Sequence, residues 1–108
     1  MKFYGIKNCS SVKKAMEYLN SKQIQFEFLD IKKIDEATLN FWLSKRDVLE
    51  LVNTTSMSAR KLKLNKEKLQ SLVLSEIKTI ILQTPSLIKR PVIIDKDKIY
   101  ISKEYERL

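Results

Sequence analysis

The sequence predicts an α/β protein in which one mixed four-stranded sheet carries helices on its faces. Three observations predict it: a strand-helix-strand pattern at the start, a helical middle, and two short apolar strands near the end. A crossover helix makes its two flanking strands parallel, whereas a tight turn makes the last two antiparallel. One sheet holding both kinds of pairing accommodates that order. A length of 108 residues fits one domain, and we expect a single domain over residues 1–108.

The first strand-helix-strand pattern is regular. Residues 2–6 are mostly apolar and suit a short buried strand, and the turn after them is expected to cap a helix through Ser10 or Ser11. The helix then shows one apolar face at the spacing i, i+3, i+4 and i+7: Val12, Ala15, Met16 and Leu19. Residues 24–28 alternate strictly between apolar and polar, which predicts the second strand.

The middle of the chain is predicted to be helical. Asp35 starts one helix, and residues 48–52 suggest a further short one. Residues 53–58 are polar and rich in hydroxyl groups, which predicts a loop. Ser75 is expected to cap a last helix that ends before Pro85, because proline is common just beyond a helix.

The end of the chain predicts a β-hairpin. Pro91 at the first position of a strand is permitted because it need not donate a ladder hydrogen bond there. Residues 92–94 and 99–101 are the two strands, and the charged residues between them form the turn. Residues 103–108 read as a charged tail of about one helical turn.

The cysteine and histidine counts limit the chemistry. There is one cysteine and no histidine, so an internal disulfide and a Cys/His metal site are excluded and no metal is expected. The usual general base is also missing. No apolar run approaches the roughly 20 residues that a membrane span needs, so no membrane is expected as a partner. We expect a cytoplasmic protein, where a lone thiol stays reduced.

The net charge of +8 would attract phosphates, nucleic acid or acidic protein surfaces. The lysines are spread along the chain, however, and a basic patch on one face is the stronger signal for nucleic acid. The preferred interpretation is that lysine is simply abundant. Nucleic acid is therefore not the expected partner, and a monomer is expected.

Cys9 is the only plausible nucleophile. It stands between a strand and a helix, where free backbone N–H groups and the helix dipole favour an anion such as a thiolate. Lys13, and Lys7 as a further candidate, would lower its pKa in the same direction. The other reading of Cys9 is a small, buried apolar residue. If Cys9 is reactive, the resolving thiol must come from outside the chain, from glutathione or a partner protein.

Two arginines are further candidates. Arg90 precedes Pro91, and an X–Pro bond can be cis, although most such bonds are trans. By residue type alone, Arg90 reads as an ordinary surface cation. Arg60 follows the hydroxyl-rich segment, and from the residues alone it is equally a solvated cation or a contact for an anion.

Three segments together resemble the arsenate reductase/Spx (ArsC) family, and most closely its YffB-like subgroup: residues 4–15 around Cys9, residues 53–62, and the string Pro-Ser-Leu-Ile-Lys-Arg-Pro at 85–91. The resemblance implies a thioredoxin-like fold with a helical insertion before the final hairpin. It implies that Pro91 is a cis proline facing Cys9. It also implies that Arg90 lies near the sulfur and binds an anionic substrate or a glutathione adduct, and that Arg60 matches an arginine of the YffB-like proteins.

The departures from the family pattern shape the functional prediction. Glutaredoxin-linked arsenate reductases carry arginines where this chain has Lys13, Asn53 and a residue at 101 or 102, so only Arg90 of that set remains. Spx-type regulators carry a CxxC pair, and here its second position is Val12. We expect a thiol-dependent reductase linked to glutathione or glutaredoxin that does not reduce arsenate, with no bound cofactor and with glutathione as co-substrate. The alternative is a non-enzymatic regulator that binds RNA polymerase.

Overall fold

The computed structural model describes the whole chain, from Met1 to Leu108. The chain divides into two compact units. The sheet unit combines Met1–Ile31 with Arg90–Leu108, and the helical unit is the continuous segment Lys32–Lys89. The sheet unit contains Cys9, Arg90 and Pro91, and the helical unit contains Arg60.

The sheet unit holds four short strands in the order β2-β1-β3-β4. Their bounds are β1 Lys2–Gly5, β2 Glu27–Asp30, β3 Val92–Asp95 and β4 Lys98–Ile101. β1 pairs in parallel with β2 and antiparallel with β3, and β3 forms a hairpin with β4. The predicted mixed sheet, with its strand-helix-strand start and its final hairpin, is confirmed.

Helix α1, Ser10–Ser21, covers the sheet with the apolar face that the sequence predicts. Val12, Ala15 and Leu19 are wholly buried in one cluster with Phe3 and Ile93. Each large apolar side chain buried in this way stabilises the fold by about 1.5–3 kcal/mol. The Cys9 side chain packs at the edge of the same cluster, so the thiol is anchored to the core.

The second strand lies later in the sequence than predicted. The pattern pointed to residues 24–28, whereas β2 is Glu27–Asp30. The N–H of Ile24 donates to the carbonyl of Leu19 at 2.9 Å, and Gln23 takes the left-handed conformation with φ 59°. These residues close the last turn of α1 in a Schellman motif. The backbone of Ile24 is thereby committed to the helix, and the ladder begins only beyond it.

The helical unit contains five α-helices and a short 3-10 helix, Pro85–Leu87. The α-helices are α2 Glu36–Lys45, α3 Val48–Leu51, α4 Met57–Lys61, α5 Lys66–Ser71 and α6 Leu74–Gln83. The first four begin after a side-chain oxygen that accepts a backbone N–H of the first turn. These capping residues are Asp35, Asp47, Ser56 and Asn65. Asp35 was predicted from the sequence. The carboxylate of Asp35 accepts a hydrogen bond from Thr38, which holds the pKa of that carboxyl below its usual value.

Two sequence predictions in the helical unit were wrong in detail. The expected loop at 53–58 contains the start of α4, because the Ser56 hydroxyl accepts the N–H of Ala59 at 3.1 Å and caps a helix there. Ser75 is not a cap. Val73 precedes the first residue of α6 and offers no side-chain oxygen. The helix does end before Pro85, as predicted.

The charged tail is more ordered than the sequence suggested. Residues Ser102–Arg107 form a 3-10 helix with Tyr105 buried. The hydroxyl of Tyr18 on α1 donates to the carbonyl of Glu106 at 2.9 Å, and Lys22 Nζ donates to the main-chain oxygen of Leu108 at 2.9 Å. The tail therefore packs on the C-terminal half of α1. None of the helices has both the length and the apolar character needed to cross a membrane.

Candidate active site

Cys9 is the N-cap residue of α1. Its backbone is extended, with φ −98° and ψ 125°, and its carbonyl accepts the N–H of Lys13 at 3.0 Å, which is the first bond of the helix. Ser10 and Ser11, which were expected to cap the helix, are instead its first two residues. The local sequence thus places the thiol where an oxygen acceptor usually stands.

The Cys9 sulfur accepts no first-turn N–H at standard hydrogen-bond geometry. A thiolate at the same place is nevertheless favoured. Burial of the half-exposed side chain acts to raise the pKa of Cys9, but the backbone N–H groups of Val12 and Ser11 and the guanidinium of Arg90 outweigh it, and the pKa is lowered below its ordinary value. Helix N–H groups and a cation are the environment that activates a cysteine.

Arg90 is the cation beside the thiol. Its guanidinium lowers the Cys9 pKa both through a hydrogen bond to the sulfur and through its charge. The Arg90–Pro91 peptide bond is cis, and Pro91 is buried directly before β3. The Pro91 carbonyl accepts the N–H of Ser102 at 2.9 Å, which ties this corner to the end of β4.

Within the helical unit, the segment that leads to Arg90 is held by backbone pairing. The N–H of Asn53 donates to the carbonyl of Leu87 at 2.7 Å, and the N–H of Lys89 donates to the carbonyl of Leu51 at 2.8 Å. Val52 and Ile88 face each other in this antiparallel bridge, and both are buried. The backbone just before Arg90 is therefore fixed rather than free in a loop.

Lys13 and Arg60 are both exposed. Lys13 lies in the second turn of α1, and the groups that lower the Cys9 pKa are the two backbone N–H groups and Arg90 rather than the Lys13 ammonium. Arg60 lies near the end of α4 in the helical unit, and its carbonyl accepts the N–H of Lys63 at 3.1 Å. The parts of the predicted site that the sheet unit brings together are Cys9 and Arg90.

The sequence reasoning missed the role of the Val12 backbone. The sequence pattern predicts only a core position for Val12, yet it is the third residue of α1, where an N–H points toward the N-cap side chain. The signal was the spacing of three residues between Cys9 and Val12. No three His, Cys, Asp or Glu side chains come close enough together to hold a metal ion. With its lowered pKa and the Arg90 guanidinium beside it, Cys9 has the chemistry of a nucleophilic thiolate.

Comparison with known proteins gives a consistent match over almost the whole chain. The sequence model of the ArsC family matches residues 4–108. An uncharacterized protein of Haemophilus influenzae is 35% identical, covering 95% of this chain and 93% of its own. The global transcriptional regulator Spx of Bacillus subtilis is 28% identical, covering 91% of this chain and 76% of the regulator.

Solved structures agree with that match. A protein named YFFB superposes with a TM-score of 0.84 at 27% identity, covering 98% of this chain and 93% of its own. A possible arsenate reductase from Streptococcus mutans superposes with a TM-score of 0.80 at 31% identity, covering 94% and 89%. The fold is thus the thioredoxin-like one that the resemblance implied. The relatives include proteins named as reductases and proteins named as regulators, and the chain belongs to the ArsC family.

Proposed function

We propose that this protein is a cytoplasmic thiol-dependent reductase, linked to glutathione or glutaredoxin, in which Cys9 is the single nucleophile. The observation that carries the proposal is the position of Cys9. Its sulfur stands at the N-terminus of α1 beside the Arg90 guanidinium, and together these lower its pKa. A larger thiolate fraction at neutral pH makes a cysteine a faster nucleophile toward disulfides.

The reaction consists of thiol-disulfide exchanges. The Cys9 thiolate attacks one sulfur of an oxidised substrate, the new sulfur-sulfur bond forms, and the other substrate sulfur leaves as a thiolate. Glutathione, or a glutaredoxin thiol, then attacks the mixed disulfide and releases Cys9. A second glutathione completes the exchange, so two glutathione thiols are oxidised to one disulfide for each substrate disulfide reduced. The chain has no second cysteine, which is why both thiols come from outside.

The cationic residues have separate roles in this proposal. Arg90 holds the thiolate and pairs with an anionic group of the substrate or of glutathione, and Pro91 shapes the same side of the site. Lys13 and Arg60 supply weaker contacts for anions. Arsenate is not the proposed substrate, because a multiply charged oxyanion needs several guanidinium forks and lysine does not reproduce that geometry.

Mass spectrometry after incubation with oxidised glutathione tests the proposal. We expect one glutathione on Cys9, formed within minutes at pH 7.5 and cleared by reduced glutathione or by glutaredoxin. Cys9→Ser should take up none. A wild-type protein that forms no adduct, or an adduct that neither reductant clears, would contradict the proposal. Arsenate added with glutathione and glutaredoxin should cause no oxidation of glutathione.

The contribution of Arg60 can be measured with a matched control. Arg60 and Lys61 are neighbouring exposed cations of α4. We expect Arg60→Ala to slow the clearance of the adduct by about two- to fivefold, as for the loss of one exposed charge contact, and Lys61→Ala to leave it unchanged. Equal rates for the two variants would contradict the proposed role of Arg60.

A second function, binding to RNA polymerase as a regulator, is favoured by one observation. Spx of Bacillus subtilis, a transcriptional regulator by name, matches 91% of this chain. The absence of a second cysteine means that such a role here would not use an internal disulfide switch. A pull-down with purified polymerase at low salt tests it. Binding that is retained by Cys9→Ser would favour the regulator, and no binding would leave the reductase as the better proposal.

A further inference from the structure

Gly5, the only glycine of the chain, ends β1 directly under the start of α1. A Cβ atom on Gly5 would lie 2.9 Å from Val12 Cγ1 and 3.1 Å from Val12 Cγ2, with Phe3 Cε1 at 3.2 Å. Its φ is not in the left-handed region, so backbone freedom is not the reason for glycine here. The reason is steric, because strand and helix approach too closely for a side chain between them.

Val12 has nowhere to move if that contact tightens. Its side chain is 0% exposed, as is that of Phe3 behind it. A β-branched residue in a helix has one strongly preferred rotamer, so rotation about χ1 does not relieve the clash at low cost. An added Cβ is therefore accommodated by displacing the first turn of α1 away from β1.

The same first turn carries the N–H groups that face the thiol. The backbone N–H groups of Val12 and Ser11 act on the Cys9 sulfur and lower its pKa. A hydrogen bond weakens steeply as its distance and angle depart from the best values, so a shift of a few tenths of an ångström at Val12 changes the field at the sulfur.

We propose that Gly5 is a positioning residue for the Cys9 thiol: its bare Cα lets Val12 pack on β1 and so sets where α1 presents its first N–H groups to the sulfur. The proposal rests on the proposed function only in taking Cys9 as the reacting group. According to the proposal, the reactivity of the Cys9 thiol is adjusted by Gly5, a strand residue that does not contact the substrate.

Alkylation of Cys9 by iodoacetamide across pH tests the proposal. We expect Gly5→Ala to move the alkylation profile to higher pH and to slow alkylation at pH 7 by about three- to tenfold, because the thiolate is the reactive form. The double variant Gly5→Ala with Val12→Ala frees the space that the added methyl group needs. It should return the profile to within about twofold of the wild-type rate at pH 7, which a merely structural role of Gly5 would not predict.

Leu19→Ala is the matched control. Leu19 is a fully buried residue of the same helix and the same core cluster, but it lies near the other end of α1. It should lower the melting temperature while leaving the alkylation profile in place. A Gly5→Ala variant that melts earlier with an unchanged profile, or a Leu19→Ala variant whose profile moves as far, would overturn the proposal.

If Gly5→Ala does not fold, Val12→Ile tests the same contact. Val12→Ile adds one methyl group to the same contact from the helix side and keeps Gly5. It should shift the alkylation profile in the same direction by about two- to threefold in rate at pH 7, since thiolate content sets the rate, and an unshifted profile in folded Val12→Ile would overturn the proposal. A failure of the proposed reductase function would look different, with a low alkylation pKa intact in the wild type but no exchange with glutathione.

Discussion

The helical unit and the sheet unit start their helices in different ways. In the helical unit, α2, α3, α4 and α5 each begin after an oxygen that accepts a first-turn N–H, as at Asn65, whose side chain accepts the N–H of Lys68 at 2.8 Å. In the sheet unit, α1 begins after Cys9, whose sulfur accepts no such bond at standard geometry. The first-turn N–H groups are thus satisfied by a side-chain cap in α2 to α5, whereas in α1 they are available to a charged sulfur.

Helix α6 is an exception within the helical unit. It too begins without a side-chain cap, after the exposed residue Val73. A missing cap is therefore not by itself a sign of function. The difference at Cys9 is that the residue can carry a negative charge and has a guanidinium beside it. An uncapped helix start therefore affects chemistry when the N-cap residue can ionise, because the first-turn N–H groups then act on its charge.

Replacement of the thiol by an oxygen should have the largest effect. Cys9→Ser turns α1 into a helix of the capped kind, because a serine N-cap accepts a first-turn N–H and stabilises a helix by about 0.5–2 kcal/mol. We expect complete loss of alkylation and of glutathione uptake, together with a melting temperature at pH 6 that is higher by a few degrees. A variant that melts below the wild type at pH 6 would contradict the view that the Cys9 position is an unfilled cap.

The stability difference between the wild type and Cys9→Ser should depend on pH, and the lowered pKa of Cys9 gives its sign. The folded-state pKa of Cys9 lies below its ordinary value of about 8.5, so the folded protein releases the thiol proton first. The stability of the wild type relative to Cys9→Ser should therefore rise with pH from the folded pKa up to about 8.5, then stay level. Denaturant titrations at pH 6, 7.5 and 9 measure it. A stability difference that falls with pH would mean that burial, which raises the Cys9 pKa, outweighs the N–H groups and Arg90, which lower it.

Removal of the cation should give the next largest effect. Arg90→Met keeps much of the side-chain length but leaves burial opposed by the backbone N–H groups alone. We expect the Cys9 pKa to rise and alkylation at pH 7 to slow by about tenfold, because the thiolate is the reactive form. Arg90→Lys keeps the charge without the planar fork, so its alkylation rate at pH 7 should lie between those of the wild type and Arg90→Met. An unchanged profile for Arg90→Met would assign the activation of Cys9 to the helix alone.

Removal of a structural cap should affect stability only. Asn65→Ala leaves the first-turn N–H of Lys68 without its acceptor and should cost about 1 kcal/mol in the free energy of unfolding. The alkylation profile of Cys9 should not move. Chemical denaturation of the variant, with alkylation of the same samples, checks both statements. A shifted profile would show that the caps of the helical unit also influence the thiol.

The smallest effect concerns helix ends, where the two units are alike. Gln23 ends α1 and Lys63 ends α4 in the left-handed conformation, with φ 59° and 55°, in Schellman motifs that normally hold glycine. Gln23→Gly and Lys63→Gly should each stabilise the protein by about 0.5 kcal/mol, since relief of αL strain exceeds the added chain entropy. Asn20→Gly, inside the last turn of α1, should destabilise instead, and equal signs for the two kinds of change would contradict the argument.

The sequence predicted the fold well where one residue decides a local structure. Asp35 predicts the start of α2 because its side chain acts on its own helix, and the apolar spacing of α1 predicts the buried face that the structure has. The bounds of β2 could not be predicted, because they depend on how the Ile24 backbone closes α1. The cis bond before Pro91 came only from the family resemblance, since no local pattern determines it.

The sequence offered Cys9 as a candidate nucleophile but not the set of groups that lower its pKa. Cys9 could be found by counting thiols and placing a helix after it. The place of Arg90 near the sulfur came only from the family resemblance, because Arg90 is 81 positions away in the sequence and reaches the sulfur only through the folded sheet unit. The close approach of Gly5 to Val12 was equally hidden, since it is a distance between two elements rather than a pattern along one.

The division of the chain has a consequence for its synthesis. The helical unit is one continuous stretch, Lys32–Lys89, and can begin to fold as it leaves the ribosome. The sheet unit cannot, because β1 is made first but needs β3, with Lys2 opposite Ile94. Until then Phe3 and Val12 lack their core partner Ile93, and Cys9 lacks Arg90. The nascent chain therefore carries a thiol without the guanidinium that lowers its pKa, and that cation arrives only when residues translated late have joined those translated first.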